Sequence, residues 1–219
     1  MYVKDYMTVK PTCISGDTTV SKALDLMSQN GFHRLPVVDA SGTLKGLITE
    51  GLVSDTSGAK STSLTIYELN YLLSRTKAAD IMIKDVKTIG PNELLEAAAS
   101  KMRSENISVL PVVDTENKII GIITENDIFE AFIELLGYRQ EGTRFVIHIG
   151  TDKVGVLGQI ADLFGKDGIS LSKMSVDNSR ERGIEIMILA NADCPDFAKK
   201  LEAAGFELTE VKKLPEEVK

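Results

Sequence analysis

Residues 35–50 read LPVVDASGTLKGLITE, and residues 110–125 read LPVVDTENKIIGIITE, so the second stretch closely copies the first. The two copies are 75 residues apart, and the same shift aligns the whole of residues 5–52 with the later copy without a gap. A constant internal period predicts two copies of one structural unit. One copy is too small to bury its own sheet well, so we expect the two copies to pack against each other.

The pattern inside each copy predicts a strand, a helix, two strands and a further helix. Asp17 and Asn92 are expected to be N-caps of the first helix, because their side-chain oxygens can accept free backbone N–H groups. Gly31 and Asn106 occupy one matched position, where a residue with left-handed backbone often ends a helix. The apolar face predicted for this helix has i, i+3, i+4, i+7 spacing. It comprises Val20, Ala23, Leu24 and Met27 in the first copy and Leu95, Ala98, Ala99 and Met102 in the second.

Different patterns follow the first copy and the second. After the first copy, the run from Thr65 to Glu68 predicts a capping box that opens a short linker helix. From residue 143 onward the repeat is absent, and apolar alternation and helical spacing predict the order βαββαβ, which is ferredoxin-like. A slip in alternation between Leu171 and Met174 predicts a bulge. We predict an α/β (α+β) protein with four segments: a first repeat unit (1–58), a linker helix (59–78), a second repeat unit (79–137) and a C-terminal domain (143–213).

The composition argues against several classes of partner. The net charge of −7 disfavours nucleic acid and anionic membrane surfaces, since both are bound through Lys and Arg. Cys13 and Cys194 lie far apart and form no CxxC, which predicts two reduced, buried thiols. The start of the chain is too polar for a signal peptide, and its apolar runs are too short for a membrane helix. We therefore expect a cytoplasmic protein.

Catalytic patterns are scarce in this sequence. The chain has two histidines, His33 and His148, and contains no HExxH, GxSxG or phosphate-binding GxxxxGK[ST] motif. We expect His148 to be an ordinary half-buried imidazole on a strand. The sequence thus predicts neither catalytic residues nor a metal site, and we expect the protein not to be an enzyme.

The segment from Gly121 to Asp127, GIITEND, is the most informative local motif. A strand ends and a helix begins at Thr124, and a helix N-terminus presents free N–H groups to a polar ligand. The Asp127 carboxylate could accept both hydroxyls of a ribose, while Gly121 would allow close approach to the backbone and Ile122 and Ile123 would form an apolar wall. Alternatively, Asp127 only caps the helix, although the matched position in the first copy, Leu52, does without a carboxylate.

A basic pair, His33 and Arg34, precedes the LPVVD strand of the first copy, where the second copy has Ser108 and Val109. Arg binds phosphate in a bidentate manner, so the pair could contact phosphates. The alternative is a solvated loop charge.

With these motifs, residues 1 to about 137 resemble a tandem pair of cystathionine-β-synthase (CBS) domains. Such pairs bind AMP, ADP, ATP, S-adenosylmethionine or cyclic dinucleotides between the repeats, with no cofactor required. The resemblance implies that Thr124 and Asp127 hold a ribose and that His33 and Arg34 meet phosphates from the opposite repeat. It adds Val109 and Pro111 to the site. A second cleft would use Gly46 and Thr49, but Leu52 replaces its Asp, so we expect one competent site.

Residues 143–213 resemble an ACT domain, a fold that commonly senses amino acids. The resemblance implies a ligand loop formed by Asp152, Val154, Gly155, Val156 and Leu157. The alternative is a dimerisation domain with an empty loop. Fusions of CBS and ACT domains of this length resemble acetoin-utilisation accessory proteins.

The leading hypothesis is therefore a ligand-responsive, homodimeric regulator that acts on a target protein which the sequence does not name. Its expected ligand is AMP, ADP or ATP, with S-adenosylmethionine or cyclic di-AMP as further possibilities. Alternatives are a cyclic-dinucleotide-responsive adaptor, an interaction scaffold with vestigial clefts, and an enzyme acting on acetoin.

Overall fold

The computed structural model describes residues 1–56, 65–151, 153–179 and 183–215. The chain divides into two compact units, Met1–Ile128 and Phe129–Lys219, and each is described separately below. The fold is α/β. In the described residues, no helix has the length and apolar character needed to cross a membrane.

The first unit is built from two short sheets and the helices around them. Its helices are α1 (Val3–Tyr6), α2 (Val20–Asn30), α3 (Glu50–Thr56), α4 (Ile66–Arg75), α5 (Ala78–Ile81) and α6 (Leu95–Glu105), and the boundary with the second unit falls within α7 (Glu125–Leu135). Its strands are β1 (Thr8–Val9), β2 (Ile14–Ser15), β3 (Arg34–Val38), β4 (Leu44–Thr49), β5 (Val109–Val113) and β6 (Ile119–Thr124). The sheet orders are β2-β3-β4 and β1-β6-β5.

The two hairpins repeat the same register 75 residues apart. Leu35 pairs with Ile48 in the β3–β4 hairpin, and Leu110 pairs with Ile123 in the β5–β6 hairpin. All four side chains are buried, so the repeated apolar residues form matching layers of the core. Burial of such side chains stabilises each by roughly 1.5–3 kcal/mol, which fixes the register.

The N-terminal segment completes the sheet of the second copy rather than that of the first. β1 pairs antiparallel with β6, with Thr8 opposite Ile122. The reciprocal contact joins Ile83, which follows α5, to Leu47 of the first copy. This exchange of segments brings residues near the N-terminus beside the GIITEND motif.

The predicted helix faces and helix ends are confirmed. The residues on the predicted faces of α2 and α6 are buried or half-buried, and Gly31 and Asn106 have φ angles of 67° and 53°. The predicted N-caps are wrong. Thr19 caps α2, since its side chain accepts the Lys22 N–H, and Leu94 occupies the cap of α6.

The two displaced cap residues make long-range contacts instead. Asp17 accepts a hydrogen bond from Lys77 at 2.7 Å, and Asn92 accepts one from Lys4 at 3.0 Å. The linker helix α4 does begin with the predicted capping box of Thr65 and Glu68. The polar segment before it lies partly outside the described residues.

An Asp side chain closes the turn of the first hairpin. Asp39 Oδ1 accepts the Ser41 hydroxyl at 2.6 Å and the backbone N–H groups of Ser41 and Thr43. The Ser41 hydroxyl, and after it Lys45, holds the pKa of the Asp39 carboxyl well below its usual range. Asp114 closes the matched turn of the second hairpin in the same way, so this use of the carboxylate belongs to the repeated scaffold.

The second unit has the predicted order βαββαβ. Its elements are β7 (Gly142–Ile149), α8 (Val156–Lys166), β8 (Leu171–Ser179), β9 (Gly183–Ala190), a 3₁₀ turn (Pro195–Phe197) leading into α9 (Ala198–Ala203), and β10 (Glu207–Leu214). The antiparallel sheet has the order β10-β7-β9-β8. The predicted bulge is confirmed by a register shift between Leu171 and Lys173. The core stacks the helices on one sheet face through the rings of Phe145, Phe164 and Phe197.

Candidate functional site

A cleft of about 440 Å³ lies between the two copies within the first unit. From the second copy it is lined by Thr124 and Asp127, and from the first copy by His33 and Arg34. Ile122 and Val109 also line it. We call this space the first cleft. The structure therefore brings predicted site residues of both copies into one cleft.

Asp127 makes two hydrogen bonds at the start of α7. Its Oδ2 accepts the Thr124 backbone N–H at 2.7 Å and the Thr124 hydroxyl at 2.8 Å. This is the capping geometry that the sequence left open as an alternative. Both bonds use one carboxylate oxygen, and Oδ1 accepts no hydrogen bond from the part of the chain that the structure describes. A carboxylate offers about four acceptor positions, so capping leaves acceptor capacity for a ligand hydroxyl.

The first copy starts its matching helix differently. There the Thr49 hydroxyl accepts the Leu52 N–H at 3.1 Å. The threonine itself caps the first turn, whereas Thr124 donates its hydroxyl to Asp127. A carboxylate is therefore not needed to begin this helix, although Asp127 supports α7.

The two predicted basic residues, His33 and Arg34, contact side chains that lie outside the lining of the first cleft. His33 Nδ1 lies 2.8 Å from Glu50 Oε2. Arg34 Nη2 donates a hydrogen bond to Ser108 Oγ. The His33 and Glu50 side chains are 72% and 46% exposed, whereas the Arg34–Ser108 contact is partly buried.

Lys10 is a further cation of the first cleft that sequence reasoning missed. It has a φ angle of 49°, and its backbone N–H donates to the Ile120 carbonyl. Because β1 pairs with β6, the residues just after β1 reach the second copy. Left-handed backbone at a non-glycine residue costs free energy and often marks a functional site, but this signal is visible only in the structure.

Three predicted site residues lie outside the lining of the first cleft. Ile123 is fully buried in the core, and Pro111 is buried on β5. A Cβ on Gly121 would fall on the sulfur of Met7. Gly121 thus makes room for Met7 rather than for a ligand.

The same packing occurs in the first copy, where a Cβ on Gly46 would fall on the sulfur of Met82 and lie 2.9 Å from the Ile83 carbonyl oxygen. Both repeat glycines are therefore required by the exchange of segments between the copies. Gly46 lines neither of the two clefts of the first unit described here.

A second cleft, of about 410 Å³, is lined by the matched positions of the opposite copies. It includes the predicted Thr49, and Leu52 is not part of its lining. The position matched to Lys10 of the first cleft is Asp85 in the second cleft, and the position matched to Thr12 is Lys87. Asp85 and Lys87 form an ion pair at 3.1 Å. The two clefts thus share a framework and differ in charge.

The predicted ligand loop of the C-terminal unit lines a smaller cleft of about 290 Å³. Val154, Gly155, Val156 and Leu157 all contribute to it, and Asp152 lies outside the described residues. Gly155 is the N-cap of α8 and has a φ angle of 91°, a conformation that favours glycine. The loop therefore directs the start of α8 toward the cleft.

Groups suited to metal binding are not assembled in the described residues. No three His, Cys, Asp or Glu side chains there lie close enough to hold a metal ion. Cys13 and Cys194 are half-buried rather than buried as predicted, and this partial burial raises the pKa of both thiols. His148 is half-buried on β7.

Solved structures with this architecture include complexes with adenosine compounds. The structure of CBSX2 in complex with AMP has a TM-score of 0.52 and 27% identity, over 61% of this chain and 97% of that one. The CBS domain pair of protein MJ0100, bound to 5′-methylthioadenosine and S-adenosyl-L-methionine, has a TM-score of 0.51 and 27% identity, over 60% and 99%. A protein of Vibrio cholerae assigned to acetoin utilization (AcuB) has a TM-score of 0.52 and 29% identity, over 62% and 93%.

Among curated proteins, homoserine O-acetyltransferase of Methanocorpusculum labreanum is 36% identical over 128 residues, which are 58% of this chain and 23% of the enzyme. The chain thus spans less than a quarter of the archaeal acetyltransferases that it matches. A CBS domain-containing protein of Dictyostelium discoideum is 34% identical over 137 residues, which are 61% of this chain and 92% of that protein.

The family model for the CBS domain matches residues 3–53 and 78–134, one match for each copy of the repeat. These residues contain both hairpins, both cleft motifs and the segments that the copies exchange. Together with a relative matched over nearly its full length, the two matches show that the chain carries a tandem CBS pair and belongs to the CBS-domain family.

Proposed function

We propose that this chain is a non-catalytic regulatory protein that binds an adenosine nucleotide in the first cleft. The observation that carries the proposal is the meeting of two kinds of group in one space. Thr124 and Asp127 offer hydroxyl and carboxylate oxygens to a ribose. Arg34 and Lys10 offer positive charge to a phosphate, and the His33 ring offers it a hydrogen bond. Ile122 and Val109 supply apolar surface on which a base can pack.

The charges of the first cleft favour AMP, ADP or ATP over S-adenosylmethionine. Three basic side chains and one carboxylate line this space, so a phosphate gains charge-assisted hydrogen bonds while a sulfonium is repelled. The AMP complex of CBSX2 supports this choice. A cyclic dinucleotide also carries phosphates, and it is the alternative that a ligand panel has to separate.

The test is a thermal-shift panel of AMP, ADP, ATP, S-adenosylmethionine and cyclic di-AMP on the purified full chain. A ligand that binds only the folded state adds about 2.7 kcal/mol of stability at a concentration of 100 times Kd. At least one anionic nucleotide should raise the Tm, and Leu52→Ala should leave the rise unchanged because Leu52 does not line the first cleft. No shift with any nucleotide would overturn the proposal and favour a scaffold with vestigial clefts.

For the C-terminal unit we propose an ACT domain that takes an amino acid at the cleft beside Gly155. The βαββαβ order and the left-handed Gly155 support this assignment, since a helix N-terminus suits a carboxylate.

The likeness to the Vibrio cholerae protein supports a link to acetoin utilisation. A panel of the twenty amino acids should contain one that stabilises the protein. Turnover of acetoin by the purified protein would contradict a purely regulatory role.

We also expect a homodimer, and the edge strand β8 offers one surface for it. Met174 and Val176 on this strand are 39% and 50% exposed. A second copy paired antiparallel about Ser175 would place Lys173 opposite Asp177 of the partner subunit, twice by symmetry. It would also place Met174 opposite Val176 of the partner subunit. Cross-strand pairs of opposite charge and of apolar side chains each favour such pairing by about 0.2–1 kcal/mol.

A further inference from the structure

The two clefts of the first unit share the residues that separate them. His33, Arg34 and Val109 line the first cleft and also the second. Most lining residues of one cleft have their counterpart in the other at the 75-residue shift, but the counterparts of His33 and Arg34 are the uncharged Ser108 and Val109. Repetition has thus supplied two clefts with one pair of basic boundary residues, His33 and Arg34. We call them the boundary cations, and His33 is one only when it is protonated.

Both boundary cations are held by groups of the second cleft. Arg34 donates to the Ser108 hydroxyl, and His33 contacts Glu50 at 2.8 Å. Ser108 and Glu50 line the second cleft and are absent from the lining of the first. A phosphate that used these side chains in the first cleft would have to take them from Ser108 and Glu50.

The other charged residues also make the second cleft less basic than the first. Lys10 serves the first cleft, and its counterpart in the second is Asp85. The one lysine that lines the second cleft, Lys87, is paired with Asp85 at 3.1 Å. In the described residues, every basic side chain lining the second cleft is thus already engaged by a carboxylate or a hydroxyl. The second cleft would present the carboxylates of Glu50 and Asp85 once the first had taken His33 and Arg34.

We propose that the pair holds one phosphate-bearing ligand at a time, because the two clefts compete for the single set of boundary cations. The inference rests on the proposed nucleotide function and makes it more specific. A guanidinium can offer its bidentate fork to one phosphate only. A second phosphate would meet the carboxylates of Glu50 and Asp85, and repulsion between like charges would weaken its binding.

The deciding experiment is isothermal titration calorimetry of the full chain with AMP, which reports the number of AMP molecules bound per chain. The wild type should bind one. Leu52→Asp introduces the counterpart of Asp127 directly after Gly51, which lines the second cleft, and should still bind one, because the cations are unchanged. The quadruple variant L52D/D85K/S108H/V109R adds counterparts of Lys10, His33 and Arg34 and should bind two.

Two AMP per wild-type chain, or two per Leu52→Asp chain, would overturn the inference, because the shared cations would then not be limiting. A folded quadruple variant that binds only one AMP would also count against it. If the quadruple variant does not fold, as judged by circular dichroism, the wild type and Leu52→Asp still decide the question. Absence of AMP binding to the wild type would refute the proposed function itself, a result distinct from a stoichiometry of two.

Adenosine, which lacks the phosphate, provides the matched ligand control. Arg34→Gln should weaken AMP binding by about ten- to a hundredfold, since it removes a charged hydrogen-bond donor. Its effect on adenosine should be less than about threefold, because a neutral nucleoside does not use the guanidinium. An equal loss for both ligands would show that Arg34 acts only through the shape of the cleft, and would contradict competition for its charge.

Discussion

Asp127 has two roles in the proposed function, and two substitutions separate them. Its Oδ2 accepts two hydrogen bonds from Thr124, and its second oxygen is assigned to the ribose. Asp127→Ala removes both roles. Asp127→Asn keeps one side-chain oxygen, which can accept the Thr124 hydrogen bonds, but it replaces the other oxygen with a donor and removes the charge.

The magnitudes follow from these contacts. Loss of a helix cap costs about 0.5–2 kcal/mol, so Asp127→Ala should lower the unfolding free energy of the unliganded protein by about 1 kcal/mol. Asp127→Asn should retain most of that stability. A hydrogen bond to a charged group contributes about 1.5–3 kcal/mol, so both variants should bind AMP about ten- to a hundredfold more weakly.

The assay combines urea unfolding without ligand and calorimetric titration with AMP on the same three proteins. Stability should rank Asp127→Asn above Asp127→Ala, while the two variants should show similar loss of AMP affinity. If Asp127→Asn binds AMP as tightly as the wild type, the carboxylate serves only as a helix cap and the ribose assignment is refuted. Leu52→Ala is the matched control for a change at the same position of the first copy.

Three further expectations test the scaffold and the assembly. Gly46→Ala should destabilise the chain by about 1–3 kcal/mol through overpacking, whereas Gly51→Ala, whose added Cβ would meet nothing closer than 4.0 Å, should not; equal urea midpoints would contradict the packing role. The lowered folded-state pKa of Asp39 means that its stabilisation is present above the unfolded value of about 3.9 and is lost as the pH falls below it. Asp39→Asn should therefore flatten the dependence of Tm on pH below about pH 4, and a slope equal to that of the wild type would argue against it. Lys173→Glu should weaken the homodimer in light scattering at micromolar concentration and Lys173→Glu with Asp177→Lys should restore it; a dimer unaffected by the single change would exclude the β8 edge.

The repeat made most of the fold predictable. An interpretation made in one copy could be checked at the matched residue of the other, as with Gly31 and Asn106, whose left-handed backbone is confirmed. The N-cap predictions were wrong because a sequence pattern takes account only of local hydrogen bonding. Asp17 is engaged by Lys77, 60 residues away, and Thr19, nearer to the helix, takes the cap.

The candidate site was predictable only in part, for a topological reason. Thr124, Asp127, His33 and Arg34 stand in motifs, so the sequence could single them out. Lys10 belongs to no motif. It reaches the first cleft because β1 pairs with β6 of the other copy, and a local pattern does not say which sheet an N-terminal strand joins. For the same reason the sequence predicts that Gly121 makes room for a ligand. Its contact with Met7 depends on the exchange of segments between the copies, which a local pattern does not show.

Comparison of the two copies separates residues that the scaffold requires from residues that a ligand requires. Where the copies agree, as at Gly46 and Gly121, both residues make the same packing contact. Where they differ in charge, as at Lys10 and Asp85, the side chains are exposed and line the clefts. The fold therefore tolerates either residue at such positions, and under the proposed function the differences reflect what each cleft binds. The chain's own two copies are enough to separate the two kinds of residue, whatever ligand its relatives bind.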